Sequence, residues 1–200
     1  MYTKTELQKA IFINIATKSI TDYSLLSPTM RNNWDDRSIH RWPKTPAIET
    51  YQGYAETVAE YAQIVGFTIG AINVQNKIEI QTEEFDNEKD CLTALSTTLG
   101  NFVTDTLAGF NLANQLIPFV NKRMLINQVA IPFLLMVKNK KPWEINMIDV
   151  MRDYQGNGYD IDLNVMAETF NIKQPNSFGP IQVCENRLKT TMQLAQAMCY

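Results

Sequence analysis

The apolar and polar positions of this chain change rhythm often enough to mark most of its elements. Residues 10–15 form a short, nearly continuous apolar run, as expected for a strand buried on both faces. The spacing predicts a helical turn or two over 25–34, opened by the Pro28 signal. Charges, Pro43 and Pro46 then predict a loop over 35–50. Tyr54, Val58, Tyr61 and Ala62 recur at helical spacing in 51–63. Residues 64–74, rich in β-branched side chains, read as a strand. A turn over 73–77 leads to an alternating partner strand over 77–82, with Ile78 and Ile80 on its apolar side.

Cys91, Leu92, Leu95 and Leu99 place an apolar stripe on a helix over 86–102. The rest reads as a buried strand over 106–110, a helix over 117–126 and a basic turn over 138–144. A last strand over 146–151 and helices over 162–170 and 187–198 complete the chain. Nothing in the pattern marks a repeat, a low-complexity tract or a linker. The order β, β-β hairpin, α, β, α, β, α predicts one mixed α/β domain over 1–200.

Composition narrows the function classes. Eighteen basic against 21 acidic residues give a net charge of −3 and a pI near 5.2. Bulk charge therefore gives no push toward nucleic acid, whose binders carry a basic surplus or a basic face. Cys91, Cys184 and Cys199 are odd in number and widely spaced. That argues against a disulfide framework or zinc ribbon and for a reducing compartment. His40 is the only histidine, which removes Ser-His-Asp catalysis and multi-histidine zinc sites. No window approaches the ~18 apolar residues of a membrane span, and the first residues lack the apolar run of a signal peptide. The expectation is a cytoplasmic protein, or one inside a particle assembled in a cytosol.

Seven blocks carry a family resemblance. They are I-F-I-N-I-A-T at 11–17, A-E-Y-A-Q-I-V-G-F-T-I-G at 59–70, G-F-N-L-A-N-Q-L-I-P-F at 109–119 and K-R-M-L-I-N at 122–127. K-K-P-W-E at 140–144, I-D-V-M at 148–151 and C-E-N-R-L-K-T-T at 184–191 continue the series. Together and in order, they resemble the predicted 3′–5′ exonucleases related to the proofreading domain of family B DNA polymerases. That family is DnaQ-like, in the DEDD branch of the ribonuclease H-like fold. The resemblance implies a mixed sheet of about five strands flanked by helices.

It also implies a chemistry and the residues for it. Hydrolysis of a phosphodiester by two Mg²⁺ or Mn²⁺ ions about 3.5–4 Å apart needs a set of carboxylates to hold both metals and orient water. The family supplies D-x-E on its first strand, an Asp just before I-P-F, and Y-x-x-x-D on its last helix. Here those positions hold Asn14 and Ala16, Leu116, and Val183 and Arg187. The histidine of the family's G-H-N turn is Phe110. Asn14 keeps an oxygen but no charge, and Ala16 offers no ligand. Leu116 puts hydrocarbon where a dication needs oxygen, and Arg187 puts a fixed positive charge beside it. The expectation is no metal cofactor and no catalytic residue.

Other residues admit two readings each. Asp149, Asp153, Asp160 and Asp162 are either replacement ligands or strand-end and helix-cap carboxylates. Lys138, Lys140 and Lys141 beside Trp143 form either a strand-holding patch or a solvated turn. Arg187 either pairs with a phosphate, bridges a leftover acid or lies in solvent. Trp34, Trp42, Tyr51 and Tyr54 are either core or a partner-binding face. The acidic run over 79–90 reads as a solvated hairpin edge and helix start. The resulting expectation is a pseudo-nuclease serving as an interaction or structural module in a larger assembly, such as a complex or a virion. A protein partner or homo-oligomer follows from it. The alternatives are a non-cleaving nucleic-acid binder using the old cleft and a residual metal-dependent exonuclease.

Overall fold

The computed structural model describes residues 2–103, 106–136, 146–155 and 161–199. Helix α1 (Lys4–Lys9) has no apolar period to announce it. It is held by a capping box in which Thr3 and Glu6 satisfy each other's backbone N–H groups. Strand β1 (Ile11–Ser19) follows. Two helices, α2 (Pro28–Arg41) and α3 (Ala47–Tyr54), precede strand β2 (Ala62–Ile72). Strand β3 (Ile78–Glu84), helix α4 (Glu88–Gly100) and strand β4 (Leu107–Gly109) come next. The chain ends with α5 (Ile117–Ile126), β5 (Met147–Asp149), α6 (Val150–Gln155), α7 (Leu163–Thr169) and α8 (Gly179–Ala197).

The five strands form one mixed sheet in the order β3-β2-β1-β4-β5. The β1–β2–β3 part is antiparallel, and β4 and β5 are parallel to β1. Alternation along β1 divides the core. Ile11 and Ile13 pack with Leu92, Leu95, Val120 and Met124 of α4 and α5. Phe12 packs on the opposite face with Leu188 and Met192 of α8 and Leu163 of α7. Asn14 and Ala16 share the Phe12 face, so the strand turns them toward α8.

The antiparallel hairpin, α4, β4 and α5 lie where the pattern places them. Four elements differ. The expected loop over 35–50 is mostly helix, because the charged run Asp35–Arg41 is the solvated face of α2, whose buried side needs only Trp34 and Ser38. The helix expected over 51–63 starts at Ala47, and Ala62 and Gln63 belong to β2. Strand β5 stops at Asp149 because Val150 opens a helix. Helix α8 begins eight residues before the expected 187, with Pro180 in its first turn, where a missing N–H costs nothing.

Candidate functional site

Asn14 and Ala16 lie against α8, beside a cavity whose other wall is the turn after β4. That turn is built on Asn111, in the left-handed region at φ 53°. A π-helical turn, Leu112–Leu116, follows and runs into α5. Asp149, at the end of β5, is buried and fixes this corner. Its Oδ1 accepts from the Asn111 amide at 2.9 Å and its Oδ2 from the Ala113 amide at 3.1 Å. Burial pushes its carboxyl above the ordinary aspartate range despite these donors. Asp149 is thus a cap, as is Asp162, which accepts from the Asn164 amide at 2.7 Å to start α7. Asp153 accepts from the Tyr2 hydroxyl at 2.8 Å. Asp160 lies outside the described residues.

The five family acid and tyrosine positions and the turn-histidine position line one cavity of about 590 Å³. Asn14, Ala16, Phe110, Leu116, Val183 and Arg187 form its wall, together with Glu56, Asp162 and Cys184. The longer α8 is what sets Val183 and Arg187 one turn apart on the same helical face. Ala16 and Leu116 are buried, at 2% and 6% exposure. The Asn14 side-chain amide donates to the Cys184 carbonyl at 3.1 Å, tying the strand directly to α8. The Cys184 thiol is buried and pushed up to about 11 by that burial, so it is protonated at neutral pH and no nucleophile. The Arg187 guanidinium is exposed and makes no hydrogen bond or ion pair among the described residues.

The donor set does not fit two dications. Of the acids on the cavity wall, Asp162 is committed to its helix cap and Glu56 belongs to the α3–β2 connection. Among the described residues no group of three or more His, Cys, Asp or Glu side chains converges. Asp162 was among the acids singled out from sequence, and the structure takes its helix-cap reading; Glu56 was not, since a lone acid after a helix carries no local signal. The basic turn with Lys138, Lys140, Lys141 and Trp143 lies outside the described residues.

No family model matches the chain, and no curated protein does. Solved structures do match in shape. The family B DNA polymerase of the hyperthermophilic archaeon Pyrobaculum calidifontis aligns over 94% of this chain at a TM-score of 0.54 and 12% identity. The ExoI/SSB-Ct complex aligns over 94% at 0.56 and 8%. The fold is ribonuclease H-like, of the exonuclease type. The chain spans 24% of the polymerase and 40% of the matched chain of the complex, so the likeness concerns a part of each. Among the described residues, no helix is long and apolar enough to cross a membrane.

Proposed function

We propose that this chain is a catalytically inactive exonuclease-like protein that serves as an interaction or structural module in a larger assembly. One observation carries the reading. The residues that the resemblance sets at the family's acid positions, Asn14, Ala16, Leu116, Val183 and Arg187, wall one cavity. Two of the five are buried hydrocarbon, one bonds a helix backbone, and one is a cation. A single inactivating change would leave the other ligands in place; here the whole set and the turn histidine differ together. An old cleft relieved of metal binding is free to fill with apolar side chains.

The deciding experiment incubates the pure chain with end-labelled single- and double-stranded oligonucleotides and Mn²⁺. No chelator-sensitive product is expected, and cleavage abolished by chelator overturns the reading. A second reading is favoured by the exposed Arg187 guanidinium on the cavity wall, which has no partner among the described residues and suits a phosphate. It predicts a gel shift with DNA or RNA at low salt that Arg187→Ala weakens. The apolar walls and the net charge of −3 weigh against it.

A further inference from the structure

Strands β1 and β2 are direct antiparallel neighbours, which a two-residue turn can join. Residues 20–61 join them instead, with a hydrophobic cluster of their own built from Leu26, Trp34, Tyr51, Ala55, Val58 and Tyr61. A connection this long with its own core is the kind of segment that carries function. Its outer corner presents Arg41, Trp42, Lys44 and Tyr54. Trp42 stacks on Tyr54 with centroids 4.5 Å apart and planes at 10°, and the Arg41 guanidinium lies 5.7 Å from the Trp42 ring. Tyr54 is 44% exposed. Arg41 and Lys44 are exposed and make no ion pair among the described residues. Trp, Tyr and Arg are the residue types that anchor protein interfaces.

The complementary surface is on the same chain. Strand β3 is a sheet edge, and α4 packs chiefly on its neighbour β2. On the α4 face, β3 therefore leaves Glu79 and Gln81 exposed and Glu83 half-buried beside Ala71, Ile69 and Phe67, their register partners. A groove of about 250 Å³ runs there, floored by Ile69, Ala71 and Phe102 and rimmed by Glu79 and Gln81. Glu79 accepts from Asn73 and Glu83 from Gln81, but neither meets a cation among the described residues.

We infer that the Arg41–Trp42–Lys44–Tyr54 corner of one copy docks on the β3 edge of a second copy, over the groove at Glu79 and the neighbouring Glu83. The exposed Tyr54, backed by Trp42, covers the apolar floor, and the two cations meet the Glu79 and Glu83 carboxylates of that edge, whose matched charges also select this pairing over others. Because the two surfaces differ, the contact is heterologous and propagates into a ring or filament. This rests on the module reading but names its partner, and the two fail separately: nuclease activity would sink the former, a monomer the latter.

The test is sedimentation velocity on the full chain from micromolar to near-millimolar concentration. It is run at low ionic strength and again at about 1 M salt, where screening acts within about 3 Å. Concentration-dependent association that salt weakens is expected. Arg41→Glu with Lys44→Glu, and separately Glu79→Lys with Glu83→Lys, should each weaken it at least about tenfold, the scale of about 1.4 kcal/mol. Mixing the two variants should restore association, which also shows that both remain folded. A monomeric wild type at low salt, association indifferent to both charge reversals, or failure of the mixture to associate would each overturn the proposal.

Discussion

Arg123 and Glu88 form the ion pair on which the α4–α5 face depends. Both side chains are 8% exposed. The guanidinium donates from Nε to Glu88 at 2.8 Å, makes a second bond from Nη2, and reaches the Ala59 carbonyl at 2.9 Å. Burial pushes the Glu88 carboxyl up. Hydrogen bonds from Arg123, the Ile64 amide and Asn127 outweigh that and hold it below the ordinary glutamate range. Arg123→Ala leaves a buried, unpaired carboxylate, so a loss of about 3–5 kcal/mol in urea unfolding is expected. The pH dependence follows from the sign of the shift. A depressed folded-state pKa gives stability that is complete above the unfolded value of about 4.3 and is lost as pH falls through the folded one. Glu88→Gln should therefore flatten the acid limb of stability against pH; a limb as steep as wild type would contradict this.

Helix α8 reaches the cavity only because β2 is thin beneath it. Gly66 pairs with Ala16, and Gly70 with Phe12, on the face that α8 covers. A Cβ on Gly66 would lie 2.4 Å from Ile181 Cδ1 and 2.5 Å from the Glu83 carbonyl oxygen. The side chain could yield but the strand backbone cannot, so Gly66→Ala should cost about 1–3 kcal/mol by overpacking. Gly53, inside α3, has nothing within 4 Å of such a Cβ. Gly53→Ala should instead raise stability by about 0.5–1 kcal/mol, since only backbone entropy changes. Paired thermal melts check both signs. The aromatics of the connecting helices divide in the same local way. Trp34 is fully buried, its indole N–H donating to the Ala47 carbonyl and Thr50 hydroxyl at 3.1 Å. Half-buried Trp42 stacks on both Trp34 and the exposed Tyr54, so these aromatics run from the core out to the surface.

The molecule as a whole should be indifferent to the metals its fold would otherwise hold. A dication bound at 100 times its Kd would add about 2.7 kcal/mol. For a chain of this length that is a rise in Tm of about 5–10 °C. Mg²⁺ or Mn²⁺ should produce no such shift in scanning fluorimetry, and a rise of that size would place a metal site that the cavity residues do not suggest.

The sequence by itself determined where the sheet strands, α4 and α5 lie, because apolar periodicity is a property of neighbouring residues. It also determined that no acid stands at 14, 16, 116, 183 or 187. The start of α8 was not legible, since its first turn, G-P-I-Q, carries loop signals that only packing on β1 and β2 overrides. Nor was the helical character of Asp35–Arg41, a polar run whose short buried stripe is filled by a separate cluster. Tertiary structure alone decided that residues as far apart as Asn14 and Arg187 wall one cavity, that Asp149 caps a turn, and that Arg187 has no partner among the described residues. Those outcomes depend on strand order and on the crossing of α8 over the sheet. Both are contacts between distant segments, on which local periodicity is silent.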